Sequence, residues 1–391
     1  MTTPWGKIRR SILGLSAEQT SYARRQFRGA TDQMRARLEQ IGEVFLMGYH
    51  AALEAGEPES FHEPILDAEL QGFAFEGAAM GFALLDALTP WRGLLRKERK
   101  PEAYATRINR FLTGPGDAHA YMVHVGVGWI WARLPVRIEL GRRRLDPLLG
   151  WLAFDGWGFH EGFFHWPHYI DAQAPPRRLK RASEASGTPA PLLHYATKVF
   201  DQGLGRSFWF VNGGNPELIA RTIQGFPAAR QPDLWSGIGL ASTYAGIMSA
   251  DGLAELRRRA GEHWPCLAQG AAFAAKARHR AGNPSPYTDL AARALCGLSA
   301  VQAAQLTDTT LENLPPNGPE PGYEIWRQRI QAHFRATDLA LIRSEASATV
   351  DPSPRPSPLR KGRGRIVGSH SAIASSSAIA SSSAIAASVS T

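Results

Sequence analysis

Residues 155–168 read DGWGFHEGFFHWPH, with three histidines, two carboxylates and three glycines in fourteen positions. Alone, the stretch has the composition of a metal site or a catalytic helix. Set beside the rest of the chain it is one copy of a recurring pattern: any residue, then Gly, an apolar residue, and Gly or Ala. The copies are EGAAMGFALL from Glu76, VGVGWIWARL from Val125, DGWGFHEGFF from Asp155, QGLGRSFWFV from Gln202, SGIGLASTYA from Ser236 and QGAAFAAKAR from Gln269. Their leading glycines, Gly77, Gly126, Gly156, Gly203, Gly237 and Gly270, are 49, 30, 47, 34 and 33 residues apart. After the last three copies come PELIARTIQGF, DGLAELRRRAG and YTDLAARALCG, with apolar residues at helical spacing behind helix-start signals such as Asn215-Pro216 and Asp251. The unit is a helix hairpin of 33–34 residues, the length of tetratricopeptide-like repeats. Alternating β-patterns are almost absent. The expected fold is all-α, a stack of helical hairpins forming an α-solenoid; a closed α/α toroid is the alternative, since Gly-rich inner helices suit both.

Within this frame the glycines of the opening stretch need no catalytic explanation, but its charged residues do. His160 falls where the other copies have Gly81, Ile130, Ser207, Ala241 and Ala274; Glu161 falls where they have Phe82, Trp131, Phe208, Ser242 and Ala275. A charge in an apolar or small slot is costly unless it is paired. His160 and His165 are five apart, about 140° from facing each other on a helix, whereas Glu161 and His165 are four apart and share a face. Pro167 is expected to end the helix before His168 can join them. His160, Glu161 and His165 are therefore candidate acid–base residues, with Glu161 and His165 as a pair, and no metal is expected.

The residue before each leading glycine is polar in five copies of six: Glu76, Asp155, Gln202, Ser236 and Gln269, with Val125 the exception. Placed in mid-helix, these side chains form a row along one inner face, where repeat proteins hold ligands. The competing reading is hydrogen bonding between helices within the core. Arg206 and Tyr244 follow in the same helices and complete the candidate ligand-binding set. The aromatic segments GWIWARL, GFFHWPHYI and RSFWFV read as core, with tryptophans near the polar row able to line a channel for a long, flat, conjugated molecule.

The 391 residues suit a single all-α repeat domain over 1–340, followed from 345 to 391 by a Pro/Arg-rich segment and a SAIASS repeat read as a disordered tail. Ala174–Pro191 and Leu314–Gly322 read as low-order stretches, the second preceding a terminal helix YEIWRQRIQAHF. Of the net charge of +9, residues 350–391 supply +4, from five basic residues against one acid. The basic clusters Trp91–Arg110, Arg142–Arg144 and Arg177–Arg181 accompany no nucleic-acid motif and read as solvated faces, so no nucleic acid is expected as a partner. Two cysteines, Cys266 and Cys296, exclude a disulfide framework. AYMVHVGVGWIWARLP is too short and too polar to span a membrane, and SILGL is too short for a secretory signal, so the cytoplasm is the expected location. No nucleophile elbow or P-loop occurs, the G-x-G pairs follow no strand, and no cofactor is expected.

FEGAAMGFALLD, YMVHVGVGWIWARLP, LDPLLGWLAFDGWGFHEGFFH, DQGLGRSFWFV, PDLWSGIGLASTYAG and QGAAFAAKAR occur in this order between Trp5 and Phe334. Together they resemble the UnbL-type family, proteins of unknown function associated with bacterial enediyne biosynthesis and encoded beside synthases that make a linear polyene. The resemblance implies a pathway context and assigns no catalytic residue. The function it implies is an accessory protein of an enediyne-type polyketide pathway that binds, and is a candidate to modify, a polyene intermediate. The alternative is a non-catalytic scaffold docking another pathway protein, such as an acidic carrier protein, through the basic clusters.

Overall fold

The computed structural model describes residues 4–64, 66–89, 106–135, 138–315 and 320–348, with side chains as far as 337. Helices α1 (Pro4–Leu13), α2 (Tyr22–Arg25) and α3 (Asp32–Ala55) open the chain, followed by α4 (Ala68–Leu88), α5 (Arg107–Leu112) and α6 (Ala120–Arg133). Next come α7 (Ile138–Arg144), α8 (Leu152–Phe164), α9 (Arg177–Ala185), α10 (Ala190–Val211), α11 (Pro216–Gln224) and α12 (Gln231–Tyr244). The series ends with α13 (Ala250–Ala260), α14 (Trp264–Ala281), α15 (Pro286–Cys296), α16 (Ala300–Thr309) and α17 (Gly322–Ala348). No strand occurs among the described residues, and the protein is all-α. One compact unit spans Met1–Ile342 and a second begins at Arg343; the tail from 349 and most of the Trp91–Arg110 cluster lie outside the described residues.

The six pattern copies are the helices α4, α6, α8, α10, α12 and α14, packed side by side in chain order between α3 and α16. Short polar-capped helices pair with the later ones as a second layer. Asn215, Ser249, Ser285 and Ser299 each accept a backbone N–H of the first turn of α11, α13, α15 and α16. The α14–α15 pair packs as an expected hairpin, while α11, α13 and α15 follow α10, α12 and α14 in the chain and pack against one another.

The glycines set the spacing of the inner row. A Cβ added at Gly126, Gly156, Gly203, Gly237 or Gly270 would overlap the carbonyl oxygen of Glu76, Val125, Asp155, Gln202 or Ser236, respectively. Each leading glycine thus lies on the backbone of the row residue in the copy before it. The second glycine faces the other way: Gly158, Gly205 and Gly239 lie on the carbonyls of Phe200, Leu234 and Leu267 in the following copy. The G-x-G pair therefore brings a helix into backbone contact with both neighbours, and the copies stack in register.

The row is strongly curled. Near the end of α14, Arg278 Nη2 donates to the carbonyls of Tyr244 (2.8 Å) and of Glu69 in α4 (3.1 Å). Just beyond, Asn283 Nδ2 donates to Ala68 O at 2.9 Å. The N-terminal segment crosses to the middle of the row, where the Tyr22 hydroxyl donates to Phe210 O at 2.5 Å. Ala174–Pro191 departs from its low-order reading: it contains α9, whose Leu179 and Ser183 are buried. Its Lys and Arg residues disguise a helix held by one narrow face.

Candidate functional site

Stacking in register brings the polar row together. Glu76, Asp155, Gln202, Ser236 and Gln269 are all buried, and all but Glu76 are joined by direct hydrogen bonds. Ser236 Oγ donates to Gln269 Oε1 at 2.8 Å and approaches Gln202 Oε1 at 3.4 Å. Gln202 Nε2 donates to Asp155 Oδ2 at 2.8 Å. Arg206 Nη1 donates to Asp155 Oδ1, and Arg206 Nη2 lies 3.9 Å from Glu76 Oε1. At the other end Arg327 Nε donates to Gln269 Oε1 at 3.2 Å while its other nitrogens pair with Asp233 and Glu324. Burial disfavours the charge on Arg206, but Asp155 and Glu76 hold it in its protonated form. The chain of bonds satisfies most of these groups, which would otherwise be orphaned in the core, and leaves Gln269 Nε2 without a partner among the described residues. Asp155, Gln202, Ser236 and Gln269 thus link the helices and are not among the residues that line the main cleft.

Glu76, Arg206 and Tyr244 do. They form the buried end of a narrow cleft, part of it open to solvent. Its walls are Phe45 and Leu46 of α3, Phe73 of α4, Met122 and Trp129 of α6, Phe159, Phe163 and Phe164 of α8, Phe210 of α10, and Leu240 and Ala241 of α12. Leu15, Gln19, Thr20, Gly42, Phe164 and Leu240 are its partly exposed members, the first five marking the mouth. Trp129 Nε1 donates to Glu76 Oε1 at 3.0 Å. Burial raises the Glu76 carboxyl to about 7, against the pull of Arg206 and the Trp129 hydrogen bond. Tyr244 packs edge-on against Phe73 and under the Arg278 guanidinium, 4.1 Å from its ring centre.

His160, Glu161 and His165 do come together, contrary to the divergence expected of the two imidazoles. Helix α8 ends at Phe164, and His165 takes non-helical dihedrals (φ −126°, ψ 35°). Its ring swings back to 5.9 Å from that of His160, and one ligand atom from each of the three residues lies within 4.8 Å of the others. Pro167 does not end the helix, since the break precedes it; it begins a π-helical turn, Pro167–Asp171. His165 Nδ1 bonds Glu161 Oε2 at 2.7 Å, and Trp157 Nε1 donates to Glu161 Oε1 at 3.2 Å. Arg178 Nη1 is 3.7 Å from Glu161 Oε1, and Arg133 Nε donates to His160 Nε2 at 3.2 Å. Burial and the nearby Arg133, His165 and Arg178 hold His160 well below its usual range, so it is neutral at physiological pH. Two guanidiniums at the cluster oppose a bound cation. The cluster stands behind the cleft wall, with the His160 ring edge-on to Trp129 and 4.8 Å from Phe164.

Comparison with known families matches residues 4–334 to a protein family of unknown function, DUF1702. The chain belongs to that family. The match covers the whole of the inner row and the cleft, and the family's description carries no activity, ligand or pathway. No curated protein and no solved structure matches the chain.

The polar row was readable because its members break an apolar register. The mouth was not: α3 and residues 15–25 carry no copy of the pattern, and only the curl of the row brings them over it. Arg25 and Arg133, which lie over the mouth residue Phe164 without lining the cleft, gave no sequence signal beyond their charge.

Proposed function

We propose that this DUF1702 protein binds a long, apolar, conjugated molecule in the cleft, a polyene or polyketide-type intermediate of an enediyne-type pathway. The pathway context rests on the resemblance of the sequence motifs to the UnbL-type family. The observation that carries the binding reading is the cleft itself: its walls are aromatic and aliphatic, with Gln19 and Thr20 at the mouth and Glu76 and Arg206 at its buried end. A thin linear molecule suits so narrow an apolar space. Glu76 Oε1 is held by Trp129, and among the described residues no hydrogen bond engages Oε2, which leaves one carboxyl oxygen for a ligand. With its pKa near 7 the group can present either a proton or a lone pair there. Glu76 is accordingly the first residue to test for proton transfer, since the His160–Glu161–His165 cluster stands behind Trp129 and Phe164.

The scaffold reading has less support. Arg107 pairs with Glu57 and Asp86 and Arg110 with Glu57 and Glu59, so these two members of the basic clusters are already neutralised, and Arg142 and Arg143 share the single carboxylate of Glu139. The test is an absorption spectrum and native mass of the full chain purified from cells with and without a polyene-forming synthase. A conjugated chromophore bound only in the first preparation is the expected result. The mass of the bare chain in both would overturn the reading.

A further inference from the structure

Arg25 and Arg133 are guanidiniums without a carboxylate. Arg25 Nε donates to Gln19 O at 2.8 Å and its Nη2 to Gln19 Oε1; Arg133 Nε donates to His160 Nε2. Neither is joined to an acid among the described residues, although both are partly buried. The nearest carboxylate of that cluster, Glu161, is engaged by His165, Trp157 and Arg178. Both guanidiniums lie over the Phe164 ring, Arg25 at 4.7 Å and Arg133 at 5.3 Å from its centre. Phe164 and Gln19 are mouth residues of the cleft. Both guanidiniums thus bear on the rim of the cleft through Phe164, and Arg25 also through Gln19, although neither lines the cleft itself. Burial, then the neighbouring charges of Arg24 and Arg133, weaken the hold of Arg25 on its proton, and burial does so for Arg133. A partly buried guanidinium ordinarily pairs with an anion, and its planar donor set matches a carboxylate.

We infer that the ligand of the cleft is an acid, its apolar chain in the cleft and its carboxylate held at the mouth between Arg25 and Arg133. This rests on the cleft being a binding site, and it adds the chemistry and direction of what binds. Carboxylate at the mouth places the far end of the chain at Glu76 and Arg206.

The test uses the full chain and two neutral-pH titrations, with a conjugated eighteen-carbon tetraene acid and with its methyl ester, read by the emission gained on entering an apolar environment. The acid should bind about tenfold more tightly than the ester, one charge-assisted contact's worth. Arg25→Gln with Arg133→Gln should abolish that preference while leaving the ester's affinity unchanged. Should the double variant fail to fold, the wild-type comparison still decides, because added salt should weaken the acid and not the ester. Equal binding of acid and ester to the wild type would overturn the inference and leave the cleft reading standing. Binding of neither would overturn both.

Discussion

Glu76 is the residue on which site and stability meet. Burial sets its folded pKa near 7, above the usual 4.5, with Arg206, Trp129, Asp155 and Tyr244 around it. The folded chain therefore holds this proton more tightly than the unfolded chain. Stability from this group is complete below about pH 4.5 and declines as the pH rises to about 7. Urea unfolding of wild type and Glu76→Gln should show the variant gaining relative stability from pH 5 to pH 8, by up to about 3 kcal/mol; parallel profiles would remove Glu76 as the titrating group. Arg206 is the counter-charge of two buried carboxylates, so Arg206→Met should cost about 3–5 kcal/mol in the same measurement at pH 8. It should cost less at pH 5, where Glu76 is protonated. At this scale the sequence was informative wherever a residue broke its register. Glu161 stood out because a charge took a slot that is apolar or small in the other copies, and Glu76 and Asp155 because they are the charged members of a polar row within apolar helices. Which of them meets a cavity depends on side chains from α3 and α8, and no spacing encodes that.

At the scale of the element, the G-x-G pair is a two-sided contact device, and its removal should be felt through the backbone. Gly203→Ala would press a methyl group onto the Asp155 carbonyl, with no flexible side chain to yield. A loss of more than about 3 kcal/mol in denaturant midpoint is expected. Gly187→Ser, where a Cβ would meet nothing within 4 Å although φ is +80°, should cost only about 1 kcal/mol of backbone strain. Similar losses at the two positions would contradict the packing argument. The inner helices were legible because the contact requires glycine at a fixed spacing. Helix α9 was not, since charge outweighs its single apolar face. The break at Phe164 was not either: the geometry of an uninterrupted helix sends the rings of His160 and His165 apart, and only the non-helical dihedrals of His165 bring them together.

At the scale of the molecule, curl converts a repeat array into a container. Arg278 ties α14 to α4 and α12 through the Glu69 and Tyr244 carbonyls. Arg278→Met should loosen that closure and lower the unfolding midpoint by about 2–4 kcal/mol in free energy. It should also weaken probe binding, because Tyr244 lines the cleft. The repeat register predicted stacking and left open whether the stack curls: Arg278 and Tyr244 belong to pattern copies, but their partner Glu69 precedes the first copy, and no spacing encodes that meeting. The most direct measurement of the central claim is titration of the neutral tetraene ester against wild type and Leu240→Trp, a variant that fills the cleft from its α12 wall. The account predicts saturable one-to-one binding to the wild type and its loss in the variant at unchanged helical circular dichroism. Equal binding to both proteins, or no saturable binding to either, would contradict it.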